Sequence, residues 1–142
     1  MYQIQKTEYG SRVILGGTFS FEEATQFEHE LAELRSMNDG PRGVLVDIRT
    51  LVPPEPRVVD IITRALGQSF ESGLNRAAIV VNSPVVRGQA IQVAFRAGAA
   101  HSSRCLDASK MPDWEEQSLN WVIYGVEPDV PAITTKIRVV KS

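Results

Sequence analysis

Apolar and polar positions along this chain switch between two periods. Over residues 2–8 and 12–18 they alternate: Tyr2 and Ile4 against Gln3 and Gln5, then Val13 and Leu15 in the same manner. A period of two marks half-buried strands. Gly10-Ser11 between them suits a two-residue hairpin turn with glycine first. From Ser20 the period lengthens. Ala24, Phe27, Leu31 and Leu34 recur every three or four residues, with Glu22, Gln26, Glu30 and Glu33 on the other side, which predicts an amphipathic helix. Ser20 and Glu23 have the spacing of a capping box, and Phe19 with Ala24 that of a hydrophobic staple. Asn38-Asp39-Gly40-Pro41 is a cluster of breakers that ends the helix.

The second half of the chain repeats a strand–loop–helix unit. Gly43–Arg49 carries the unbroken run Val44-Leu45-Val46, as in a central strand covered on both faces. The braced loop Leu51-Val52-Pro53-Pro54-Glu55-Pro56 leads into a helix from about Pro56 to Ser72, with Val59, Ile62, Leu66 and Phe70 as its buried stripe. Asp60 and Arg64, four apart, are expected to pair on its wet side, and Gly73 is a good stop. Arg76–Val81 reads as a buried strand, followed by a helix over roughly 84–97 with Val86, Ala90, Val93, Ala94 and Ala97 inward. Arg104-Cys105-Leu106 is a short last strand. A helix over about 113–124 carries Trp114, Ser118 and Trp121 and ends at Gly125. The fold class expected is α/β: one domain over 1–125, with a mixed sheet of about five strands and about four helices, mainly on one side. The extension 126–142 contains a β-prone run from Ile133 to Val140, expected as an edge strand or a dimer arm.

Composition narrows the function classes. The chain of 142 residues has 43% apolar and 23% charged residues, a globular profile able to build a core without staples. A formal charge of −2, with Lys and Arg scattered, argues against nucleic acid. Cys105 is the single cysteine, so no internal disulfide forms. No stretch has the length and apolarity of a membrane span, and residues 1–6 lack the apolar core of a signal peptide. The expectation is a bacterial-type cytoplasmic protein.

The element order, carried by Phe19–Leu34, Gly43–Arg49, Arg76–Ser83 and the helix ending Ser118–Ile123, resembles the STAS domain of anti-sigma-factor antagonists. It looks most like the SpoIIAA-like group with a CRAL-TRIO-like core. The resemblance covers about residues 2–124. It implies a regulatory, signal-transducing protein-binding module. In the phosphorylated antagonists the segment after the central strand carries Asp-Ser-Ser/Thr-Gly. Here that segment reads Pro54-Glu55-Pro56-Arg57-Val58, with no hydroxyl after the acid. The departure counts against a serine-phosphorylation switch.

In folds of this kind, ligands and partners meet the loops at the carboxyl ends of the strands. Three groups of residues stand there. Asp47 and Arg49, with Glu55, Arg57 and Val58, form a candidate partner-binding cluster; the competing reading has Asp47 holding loop amides and Arg49 ending a strand in water. Asn82, Ser83 and Arg87 flank a helix start that suits an anion, though plain capping by Asn82 or Ser83 is the favoured reading. Ser83 has no histidine in any recognisable pattern, since His29 and His101 lie elsewhere, and no catalytic residue is assigned. His101 and Cys105 are too few ligands for a metal, and no cofactor motif is present. The expected function is therefore a non-catalytic protein-interaction module, with homodimerisation through a strand edge or the tail as an added expectation. The alternative is a binding protein for a small amphipathic or lipidic ligand, which requires an enclosed apolar cavity.

Overall fold

Five strands lie side by side in chain order, and everything else is arranged by that order. The computed structural model describes residues 1–37 and 42–133. Strands β1 (Tyr2–Lys6) and β2 (Gly10–Leu15) form the antiparallel hairpin. Strands β3 (Arg42–Asp47), β4 (Leu74–Val81) and β5 (Ser103–Asp107) then add in parallel, each against its predecessor. The crossovers are helices α1 (Phe21–Met37), α2 (Pro56–Glu71) and α3 (Pro84–Arg96), the last followed by a 3₁₀ turn at Ala100–Ser102. Parallel neighbours joined by same-handed crossovers, with strands always added on one side, put all three helices on one face. Helix α4 (Trp114–Tyr124) follows β5 and covers the other.

Alternation along the strands separates the two faces. Val13, Leu15, Val44, Ala77, Ile79, Val81 and Cys105 face α1–α3 in the larger core. Ala78 and Leu106 point the opposite way and pack with Trp121 and Val122 of α4. The expected α/β class, with a five-stranded mixed sheet and four helices mainly on one side, is what the described residues adopt.

The capping box forms: the Glu23 N–H donates to Ser20 Oγ at 3.1 Å and the Ser20 N–H to Glu23 Oε1 at 3.4 Å. The hairpin turn falls two residues earlier than expected. Thr7 and Gly10 exchange backbone hydrogen bonds around Glu8-Tyr9, and Gly10 belongs to β2. Gly10 is needed for a different reason: its φ is 147°, and a Cβ there would meet the Gly43 carbonyl oxygen at 2.0 Å. The expected Asp60–Arg64 pair also gives way to ties between helices. Arg64 pairs with Glu28 of α1 at 2.9 Å, and Asp60 with Arg96 of α3 at 2.7 Å.

Residues 126–133 fold back onto the domain. Val130 joins the α4 cluster, Ile133 is buried with the larger core, and Glu127 binds Arg104. The rest of the β-prone run expected from Ile133 to Val140 lies outside the described residues.

Candidate functional site

The end of β3 places Asp47 on the α4 side of the sheet, buried beneath Arg49. Arg49 wraps back so that Nε and Nη2 donate to the two carboxylate oxygens at 3.0 and 2.9 Å, and its backbone N–H donates at 3.1 Å. Arg12 of β2 stands 4.0 Å away and reaches Glu115 of α4 at 3.0 Å. The Arg49 guanidinium covers the Trp114 ring at 4.2 Å. Burial works to raise the Asp47 pKa, but the hydrogen bonds and charge of Arg49, with the charge of Arg12, outweigh it and hold it below the ordinary value. Asp47 is thus a satisfied carboxylate that binds a loop amide and two arginines, and it joins three elements.

Glu55 and Arg57 belong to another neighbourhood. They pair with each other at the start of α2, and Arg57 lies over the Phe21 ring of α1 at 4.3 Å. No ion pair or hydrogen bond links them to Asp47 or Arg49 among the described residues. Two carboxylates do not converge, and the single cluster expected from the sequence is two separate pairs. Val58 needs a further correction. It is 0% exposed, because it is the position of α2's first turn that points into the core, so it offers nothing to a partner. The exposed apolar residues at this edge are Val52 and Val85, at 51% and 62%.

Ser83 caps α3, accepting the Val86 N–H at 3.2 Å, as plain capping requires. Asn82 is exposed. Arg87 is half-buried and directs its charge toward Cys105 and Asp107 at the end of β5. Asp107 itself is occupied by the Ser109 hydroxyl at 2.6 Å and N–H at 3.0 Å, and these bonds hold its pKa down. Among the described residues no group of three or more His, Cys, Asp or Glu side chains could hold a metal ion, and no helix is long and apolar enough to cross a membrane.

The feature that sequence reading did not locate lies between the sheet and the helices. A cavity of about 170 Å³ is walled by Val13, Leu15, Val44, Val46 and Ile79 of the sheet. Leu31 and Leu34 of α1, with Val59, Ile62 and Leu66 of α2, form its roof. It explains an oddity of the stripes. Val58, Ile61 and Ala65 are the buried apolar residues of α2, whereas the predicted Val59, Ile62 and Leu66 are only half-buried, since part of their surface faces this space. Two polar side-chain atoms of its wall are buried with no partner among the described residues: Arg42 Nε at the amino end of β3 and Gln89 Oε1 on α3. Buried polar atoms are normally paired, and an orphan requires an explanation.

At the amino end of the parallel strands the wall also includes Lys6 and Arg35. All three cations occupy inward-facing positions by the period of their own element. Lys6 continues Tyr2 and Ile4, Arg42 precedes Val44 and Val46, and Arg35 follows Leu31 by one turn. A charge on the apolar parity is the signal in the sequence that could have located this end. Comparison of the chain with family models, curated proteins and solved structures found no match.

Proposed function

We propose that this protein is a non-catalytic binding module for a small amphipathic ligand, held in the cavity between the sheet and helices α1–α3. The observation that carries this reading is an apolar space of about 170 Å³ whose wall holds two buried polar atoms, Arg42 Nε and Gln89 Oε1, without partners among the described residues. A dry apolar void of about 150 Å³ already accepts benzene. A mostly apolar site with a few fixed polar groups is the usual form of a small-molecule pocket. The carboxyl-edge charges support it by contrast, being matched within the fold as Asp47 with Arg49 and Glu55 with Arg57.

The protein-interaction reading retains one supporting observation: Val52 and Val85 stand exposed at the carboxyl edge of the sheet. A regulatory partner would meet them there, beside the proline-braced loop, whose rigidity reduces the ordering cost of binding.

Titration with neutral 1-octanol, followed through methyl NMR signals, tests the cavity. Saturable shifts are expected at Leu31, Leu34, Ile62 and Leu66, and their loss in Ala65→Leu, which fills the space from α2. Wild-type protein without saturable shifts, or an Ala65→Leu variant that binds as before, overturns the reading. A complex isolated by pull-down and lost in Val52→Asp then becomes the better account.

A further inference from the structure

The cavity has one charged end. Lys6, Arg35 and Arg42 line it where the parallel strands begin, and among the described residues no Asp or Glu belongs to the wall. Strand register puts two of the cations at the same end of the sheet, two strands apart: Lys6 pairs with Ser11, whose neighbour Gly10 pairs with Gly43, next to Arg42. Arg35 is partly occupied, donating to Gln68 Oε1 at 3.1 Å and to Ser69 Oγ at 3.4 Å. Helices α1 and α2 end at this mouth, and the carbonyl ends of helices attract cations. That accounts for Arg35, in the last turn of α1. It does not account for Arg42, a strand residue whose Nε is buried without a partner among the described residues. Neither Arg42 nor Lys6 has an ion-pair partner among them. An arginine with an unmet Nε–H and a second cation, both lining an apolar space, are complementary to an anionic head with an apolar body.

We infer that the ligand is a single-chain anionic amphiphile, its head held by Arg42 and Lys6 and its apolar body running beneath α1 and α2. The inference rests on the ligand-binding reading above. A space of about 170 Å³ is slightly larger than one that accepts benzene, which sets the body at about six to eight carbons. Two acyl chains do not fit. Gln89, further along the wall, carries no charge and does not compete for the head.

Octanoate and 1-octanol share a body and differ in the head, so the pair separates the two claims. Isothermal titration is expected to show octanoate binding the wild-type protein about tenfold or more tightly than 1-octanol, the range of a charge-assisted hydrogen bond. Arg42→Met is expected to remove that preference, bringing octanoate to within about twofold of 1-octanol on the same variant. Lys6→Met, at an exposed strand end, makes the same comparison should Arg42→Met fail to fold. Octanoate no tighter than 1-octanol, or variants that weaken both alike, overturns the head assignment and leaves the cavity reading standing. Binding of neither amphiphile overturns both.

Discussion

The Arg104 guanidinium lies over the Trp121 ring at 4.0 Å while the Trp121 indole N–H donates to the Ala77 carbonyl at 3.0 Å. Each bond joins α4 to a different strand, β5 through the arginine and β4 through the indole. Arg104 also donates to the carbonyls of His101 and Ser103 and grips Glu127 with two bonds of 2.7 and 2.9 Å. A buried arginine with every side satisfied is a strong positional constraint. Here it seals the α4 face and ties down the segment after α4. The two faces of the sheet therefore differ: on one, α4 packs through Trp121 and Val122, and on the other lies the cavity.

Trp121→Phe keeps an aromatic ring under Arg104 but removes the donor to Ala77. Loss of this buried bond, together with the space left by the smaller ring, is expected to cost about 1–3 kcal/mol. Glu127→Gln leaves Arg104 its two backbone acceptors, and Glu127 is itself largely exposed, so a smaller loss of about 0.5–1.5 kcal/mol is expected. Urea unfolding curves rank the two. A Glu127→Gln loss exceeding that of Trp121→Phe would show that the ion pair, and not the indole bond, anchors this face.

Asp47 predicts acid sensitivity with a definite sign. Burial opposes the charged form, but Arg49 and Arg12 prevail and the folded pKa lies below the ordinary 3.8. A depressed carboxylate contributes stability that is fully present above its unfolded pKa and is lost as pH falls through the folded one. Thermal midpoints of the wild-type protein should fall as pH drops below about 4. Asp47→Asn should lower the midpoint at neutral pH, by about 1–3 kcal/mol of stability, since Arg49 is partly exposed and regains water. The variant's acid limb should be shallower than the wild type's. Parallel limbs in the two proteins would assign the acid loss to other carboxylates.

Cys105 predicts chemical silence. Burial lifts its thiol pKa to about 11, with the nearby Arg87 charge opposing and Asp107 assisting. The thiolate is the reactive form. Native protein at pH 8 should therefore react with a disulfide reagent such as dithionitrobenzoate far more slowly than protein unfolded in guanidinium. Equal rates would mean that β5 opens freely.

Periodicity made most of the fold legible. The stripe of α1, the buried runs of β3 and β4, the Ser20–Glu23 box and the glycine stops are local rules that the packed structure obeys. Partnerships between elements were less accessible. Arg64 and Asp60 satisfy the spacing rule for a pair, yet each finds a carboxylate or guanidinium on another helix, because the helices lie close enough for those bonds to form. The cavity was hidden for a related reason. Leu31, Leu34, Ile62 and Leu66 announce that two stripes face inward, but spacing along a chain does not tell whether facing stripes meet or leave a gap. Val58 was misplaced by the same ambiguity, one position of rotation deciding between core and surface at the first turn of a helix. Arg42 and Lys6 were legible in principle, as charges on the inward parity of their strands.

Gly10 and Gly43 test the geometry that positions the charged mouth. They face each other across β2 and β3, next to Arg42, and the Gly43 N–H donates to the Tyr9 carbonyl at 2.9 Å. A side chain on Gly10 would strike the Gly43 carbonyl oxygen at 2.0 Å, a backbone atom that cannot rotate away, and its φ of 147° is strained for any L residue. A side chain on Gly43 would meet Val122 Cγ1 at 2.2 Å, the far end of a side chain on the other face. Gly10→Ala should therefore cost more than Gly43→Ala, about 2–4 kcal/mol against about 1–3, because only the second clash can be relieved by a rotamer change. The two also differ in what they disturb. Gly10→Ala pushes β2 from β3 beside Arg42 and should weaken octanoate binding along with stability, whereas Gly43→Ala pushes against α4 and should leave the binding preference intact. Calorimetric unfolding and octanoate titration on both variants check the pair, and a Gly43→Ala variant that loses octanoate while Gly10→Ala retains it would place the head group elsewhere.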